Sequence, residues 1–269
     1  MMSAPGPRHP FLDHPLPLAF AHRGGGTAGT ENSLAAFADA VRLGYRYLET
    51  DVHATRDGVL VAFHDLTLDR VTDRQGAVAD LSWHEVSRAR IGGTEPVPRL
   101  EELLDAFPEA RLNIDVKAVA AVVPLVETVR RANAWHRVCV SSFSEQRLAR
   151  VRALAGPRLA TSLGPRGVLA LRVRSLTGRV PVDRLLGPVL RRGAVCVQVP
   201  ERSSGVTVVD RAFLRAAHAR GLQVHVWTVN DEPSMRRLLD LGVDGIMTDN
   251  VRGLRAVLVE RGSWPATGR

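Results

Sequence analysis

Three carboxylates, Glu49, Asp51 and Asp115, interrupt runs that otherwise have the composition of buried β-strand. In Tyr47-Leu48-Glu49-Thr50-Asp51-Val52-His53, alternation puts Glu49, Asp51 and His53 on one face. Between Arg111 and Lys117 it groups Asn113, Asp115 and Lys117, with Leu112, Ile114 and Val116 opposite. Parallel barrel strands are buried on both faces, so a carboxylate there is costly unless it is paired or bound to metal. Clustered carboxylates without thiols or a His-x₃-His spacing call for a hard cation with oxygen ligands, magnesium or calcium. Two other readings stay open: a glycosidase-type acid pair, and plain salt bridges to arginine.

Two histidines close β-rich runs in the same part of the chain. His22 leads straight into Arg23-Gly24-Gly25-Gly26, and His64 lies in Phe63-His64-Asp65. Imidazole titrates near neutral pH, so two strand-end histidines beside three carboxylates suit a proton donor and acceptor, although either alone suits a structural role. Arg23 can clamp a phosphate oxygen bidentately, and the glycines free backbone N–H groups to face an anion.

Short β-rich runs alternating with amphipathic stretches must position these residues, a pattern that predicts a parallel sheet wrapped by helices. Strands are expected over 16–21, 45–53, 111–117, 137–141, 158–163, 194–199, 223–229 and 243–248. A hairpin strand over 59–63 follows the Asp57-Gly58 turn. Helices are expected over 33–43, 100–107, 209–219, 233–241 and 251–260, with Asn32 as the cap of the first. Asn230-Asp231 before Pro233 is a start signal, and Gly221 and Gly242 are stop signals. The irregular stretch 66–97, with a short helix near 83–89, reads as an excursion rather than a domain. The expected fold class is α/β: one (β/α)8 barrel over 17–260 with that insertion after the second strand, and flexible tails at 1–16 and 261–269. The 269 residues, 45% hydrophobic, match the usual size.

No run of 18 apolar residues occurs, which argues against a membrane span. The first 17 residues hold five prolines and no apolar core, unlike a signal peptide. Cys139 and Cys196 lie in apolar runs and read as reduced core residues, favouring the cytoplasm. The net charge of +8 suits anionic partners, yet aromatics are only 5% and no nucleic-acid-reading motif appears. Of 36 basic side chains only Lys117 is lysine. The segment 165–193 carries seven arginines against the single acid Asp183, fitting a solvated helical cover or contact with an anionic membrane surface.

The chain resembles the glycerophosphodiester phosphodiesterases. The matching stretches are His22-Arg23-Gly24, Glu31-Asn32-Ser33, Glu49-Thr50-Asp51-Val52, Asp57-Gly58, Val61-Ala62-Phe63-His64-Asp65 and Leu68-Asp69-Arg70-Val71-Thr72. Asp115-Val116-Lys117, Val226-Trp227-Thr228-Val229-Asn230 and Gly242-Val243-Asp244-Gly245-Ile246-Met247-Thr248-Asp249 follow in family order. The resemblance implies a (β/α)8 barrel and cleavage of glycerophosphodiesters to glycerol 3-phosphate and an alcohol. It implies His22 and His64 as general acid and base, one divalent cation (Mg²⁺ or Ca²⁺) on Glu49, Asp51 and Asp115, and Arg23 and Lys117 on the phosphate. Asp115 departs from the family's more common glutamate, and Thr30 stands where proline is common. Trp227 is expected as an apolar wall for the glycerol backbone, or as core. His225 is expected to pack, His53 to stand at the rim, and His84, His136 and His218 to be solvated. Glu31 and Asn32 are expected to organise the turn and cap the helix. Lysophospholipid cleavage and a silent phosphodiester-binding barrel are the alternative functions.

Overall fold

A computed structural model describes residues 9–15, 17–26, 29–178 and 181–264. Eight parallel strands close on themselves: β1 (Leu18–Ala21), β2 (Tyr47–Ala54), β3 (Arg111–Val116), β4 (Val138–Ser141), β5 (Ala160–Ser162), β6 (Ala194–Pro200), β7 (Gln223–Trp227) and β8 (Gly245–Thr248). They neighbour one another in sequence order, and β1 pairs with both β8 and β2. The helices are α1 (Leu34–Arg42), α2 (Leu100–Ala106), α3 (Val122–Arg131), α4 (Glu145–Ala155), α5 (Pro165–Thr177), α6 (Asp183–Leu190), α7 (Arg211–His218), α8 (Glu232–Leu241) and α9 (Val251–Glu260). The expected (β/α)8 barrel is therefore the fold. No helix among the described residues is long and apolar enough to cross a membrane.

Alternation along the strands builds two apolar layers. Leu48, Val52, Leu112, Ile114 and Val116 join the core between sheet and helices. Leu18, Phe20, Tyr47, Cys139, Cys196 and Met247 fill the barrel interior. The register sets Glu49 beside Asn113 and Asp51 beside Asp115 on the paired strands β2 and β3.

Residues 9–14 depart from the expected flexible tail. Pro10–Leu12 form a 3-10 turn whose Phe11 is fully buried among the interior residues, and the Tyr47 hydroxyl donates to the Phe11 carbonyl at 2.7 Å. A plug of this kind removes apolar area that the barrel floor would otherwise expose. At the other end, Trp264, also expected in a tail, packs edge-on against Tyr45 with centroids 5.1 Å apart. Residues 1–8 and 265–269 lie outside the described residues.

After β2 the chain turns back through the short strand Leu60–Ala62, which pairs antiparallel with β2. The expected excursion follows and carries its own small core, including Phe63, Leu68, Val71, Val78, Val86 and Ile91. The helix within it spans only Trp83–Val86, closed by a Ser82/Glu85 capping box.

The first helix is capped by Ser33, whose hydroxyl accepts from the Ala36 N–H, and not by Asn32. Asn32 adopts φ +58°, a conformation asparagine tolerates, and its amide turns inward instead. As expected, Asp231 caps α8 at its start and Gly242, in the left-handed region, ends it.

Candidate active site

At the C-terminal ends of the strands, where barrels of this class carry their chemistry, lies a cavity of about 540 Å³. Its lining includes His22, Arg23, Glu49, Asp51, His64, Asp115 and Lys117. Residues drawn from widely separated parts of the sequence thus meet at one opening.

His22 begins the turn after β1. The turn needs left-handed backbone at Arg23, Gly24 and Gly25, and a Cβ on Gly25 would collide with Val251. His22 Nδ1 donates to Asp249 Oδ1 at 2.6 Å, and its Nε2 lies 3.7 Å from Glu49 Oε2. Burial works against the imidazolium, but Glu49 and Asp249 outweigh it and hold the His22 pKa above its ordinary value. His64 repeats the arrangement: its Nδ1 donates to Asp65 Oδ1 at 2.6 Å. In each ring the proton on Nδ1 is fixed by a carboxylate, which leaves Nε2 for proton transfer.

The carboxylates are nearly dry. Glu49 is 5% exposed, and burial followed by the neighbouring Asp51 charge pushes its carboxyl up to about 7. Burial also raises Asp115, outweighing the adjacent Lys117 ammonium. That ammonium stands between two carboxylates, 2.8 Å from Asp51 Oδ1 and 2.7 Å from Asp115 Oδ2. Among the described residues no three His, Cys, Asp or Glu side chains converge as they stand into a ready ligand set. The donor chemistry nevertheless fits a hard cation, because Asp115 Oδ1 is buried without a partner and the three acids offer oxygen donors only.

Arg23 is tied down on three sides. Its backbone N–H donates to Glu49 Oε2 at 3.0 Å, so the glycine turn faces a carboxylate here. Its Nη1 donates to Glu31 Oε1 at 2.8 Å, and its Nε, 3.3 Å from Asp51 Oδ2, makes no hydrogen bond. Asn32 organises the turn as expected, donating to Asp51 Oδ2 and accepting from the Thr50 hydroxyl.

The lining also has an apolar part, which includes Phe143, Leu163, Val168, Leu169, Val199 and Trp227. Trp227 packs edge-on against Phe143, with centroids 5.6 Å apart. It lines the cavity and, half-buried, also packs against the barrel-interior cluster. Phe143 and Leu169 are each 64% exposed, so the apolar part continues onto the rim.

Several other expectations change. His53 is buried, and its Nε2 donates to the His64 carbonyl at 3.1 Å rather than standing at the rim. His225 packs as expected, fully buried against Phe20 and bonded to Gln223. His84, His136 and His218 are exposed as expected, and His218 also meets Asp244 at 2.7 Å. The arginines of 165–193 do not share one face: Arg172 pairs with Asp210 beside the cavity, while Arg191 and Arg192 precede β6 at the opposite end of the barrel. Arg179 lies outside the described residues. Asp65, Asp249 and Arg70, which hold the histidines and Glu31, were not singled out for these roles by sequence reasoning. Their only signal was membership of the motifs quoted above.

The fold is that of the α/β-barrel enzymes, and its mouth brings two carboxylate-held imidazoles together with buried acids and an anchored guanidinium. The chain belongs to the glycerophosphoryl diester phosphodiesterase family, whose model matches residues 22–252. It is 44% identical over 266 residues to the probable glycerophosphodiester phosphodiesterase 2 of Mycobacterium tuberculosis, covering 98% of this chain and 99% of that protein. It is 29% identical to the human lysophospholipase D GDPD1, over 88% of this chain and 85% of that one. The crystal structure of a putative glycerophosphoryl diester phosphodiesterase from Silicibacter pomeroyi superposes with a TM-score of 0.74 at 27% identity, covering 93% and 96% of the two chains.

Proposed function

We propose that this protein hydrolyses glycerophosphodiesters to glycerol 3-phosphate and an alcohol. The observation that carries this reading is the pair of imidazoles, His22 and His64, opening on one cavity with each Nδ1 held by a carboxylate at 2.6 Å. His22, whose charged form is favoured, fits the donor to the leaving alkoxide oxygen. His64 accepts the proton of the attacking hydroxyl, either from water or from the substrate's own glycerol, in which case a water must then open the cyclic phosphate to give glycerol 3-phosphate. Each transfer is worth roughly 10²–10⁴-fold. Arg23, anchored by Glu31, orients a phosphate oxygen, and Lys117 offers the phosphate a second cation. Glu49, Asp51 and Asp115 would hold one divalent cation, Mg²⁺ or Ca²⁺, which when bound neutralises phosphate charge and lowers the pKa of a coordinated hydroxyl. Cys139 and Cys196, with sulfurs unlinked at 3.9 Å, fit a reducing, cytoplasmic setting.

The test is turnover of glycerophosphocholine by His22→Ala and His64→Ala, with folding checked by circular dichroism. Both are expected to be inactive and folded; near-full activity in either refutes its assignment. The apolar part of the cavity favours a second reading, cleavage of lysophospholipids, with the aliphatic chain against Phe143, Leu169 and Trp227. Faster turnover of lysophosphatidylcholine than of glycerophosphocholine, lost in Leu169→Asp, supports it; equal insensitivity of both substrates to that change removes it.

A further inference from the structure

We propose that Arg70, carried by the insertion after β2, is a positioning residue that fixes both the acid–base and the phosphate-binding sides of the site. The inference rests on the hydrolytic reading above but concerns a residue that touches no reacting atom. Its guanidinium spans two carboxylates. Nη1 and Nη2 donate to Glu31 Oε2 and Oε1 at 2.9 and 2.7 Å. Nε and Nη2 donate to Asp65 Oδ2 and Oδ1 at 2.5 and 3.1 Å.

Each carboxylate has its free valence on a site residue. Glu31 Oε1 also accepts from Arg23 Nη1, and Asp65 Oδ1 also accepts from His64 Nδ1. One planar group thereby sets the direction of the phosphate clamp and of one imidazole. The backbone that presents it is itself held, since its neighbours Leu68 and Val71 are buried in the insertion's core and the Thr72 hydroxyl donates to the Leu68 carbonyl. A single exposed ion pair would contribute little, and Arg70 is half-exposed. Two bidentate pairs on one rigid fork are the case in which geometry outweighs screening. Lysine supplies the charge but not the fork, so it cannot reproduce the arrangement.

This assigns a function to the insertion. It delivers the strut that orients residues on the turns after β1 and after the Leu60–Ala62 strand, so catalysis depends on its fold.

The test uses the full chain and the variants Arg70→Ala, Arg70→Lys and Asp65→Asn. With glycerophosphocholine, Arg70→Ala is expected to lower kcat by roughly 10–100-fold, as loss of an orienting partner commonly does. Arg70→Lys should recover only part of the loss. The double variant Arg70→Ala/Asp65→Asn should fall within about twofold of the worse single variant, because both remove one linkage. Calorimetric binding of sn-glycerol 3-phosphate should weaken in Arg70→Ala through the freed Arg23. A readout without turnover is the ¹⁵N-edited NMR signal of the His64 Nδ1–H, assigned by its loss in His64→Gln, which should broaden or vanish in both Arg70 variants. An unchanged signal, a kcat for Arg70→Lys within about twofold of the parent, or multiplying losses in the double variant overturns the proposal. If the parent protein turns over no phosphodiester, the hydrolytic reading fails, while the imidazole signal still decides the role of Arg70.

Discussion

Replacing Asp249 by asparagine keeps the shape of the group behind His22 and removes its charge. Asp249 Oδ1 accepts from His22 Nδ1 at 2.6 Å, and Oδ2 accepts from Asn230 Nδ2 at 2.8 Å. The carboxylate is one of two that raise the His22 pKa against burial. Charges about 4 Å apart interact by about 4 kcal/mol at an effective dielectric constant near 20 and about 1 kcal/mol in water. Because the Asp249 side chain is 38% exposed, the lower half of that range applies, about 1–2 kcal/mol, or about one pH unit. The sign follows directly: without the carboxylate the imidazolium is less favoured, the His22 pKa falls, and its limb of the pH–rate profile moves toward acid. As a proton donor His22 would set the alkaline limb. Asp249→Asn should therefore bring that limb down by about one unit and lower kcat by roughly 10–100-fold, since the imidazole also loses its orienting partner. The assay is kcat/KM for glycerophosphocholine against pH at constant ionic strength. Superimposable profiles with an unchanged kcat would show that His22 is not poised by Asp249.

Chelation by EDTA should abolish turnover and added Mg²⁺ or Ca²⁺ restore it; in calorimetry Glu49→Gln and Asp115→Asn should each weaken cation binding at least about tenfold, and unchanged isotherms would move the ion elsewhere. The hydrogen bond to Asp244 raises the His218 pKa above its ordinary 6.5. The stabilisation is then complete below that value and is lost as pH rises through the raised one, so the Tm gap between parent and His218→Ala should narrow as pH is raised from below 6.5; a gap that widens contradicts the linkage. Phe11→Ala should cost about 3–5 kcal/mol in urea unfolding by opening the barrel floor, and a loss under about 1 kcal/mol would mean the plug contributes little.

What could be read from the sequence was whatever strand periodicity dictates. Glu49, Asp51, Asp115 and Lys117 reach the cavity because alternation puts them on the inward face. The same rule placed His53 on that face but could not see its partner. The chain folds back as an antiparallel strand, bringing the His64 carbonyl over the ring, and a group expected at the rim is buried. The cap of the first helix is hidden for a related reason: Asn32 and Ser33 are both good caps, and the choice turns on Thr50 and Asp51, which draw the asparagine amide inward. The plug at residues 9–14 is invisible in the sequence because its binding surface exists only once six separate strands have closed.

Asp249 and His22 are 227 residues apart, so no local pattern pairs them. Lys117 illustrates the opposite case. In a chain whose other 35 basic side chains are all arginine, it was conspicuous by type alone. The geometry supplies a physical account. Its ammonium fits between Asp51 and Asp115, donating to both within 2.8 Å while only 19% exposed. A guanidinium presents its donors in one plane from a wider head, and at that depth it would have to displace one of the two carboxylates. A compact, freely rotating cation keeps both oxygens in place at the mouth of the barrel, next to Asp115 Oδ1, which is buried without a partner.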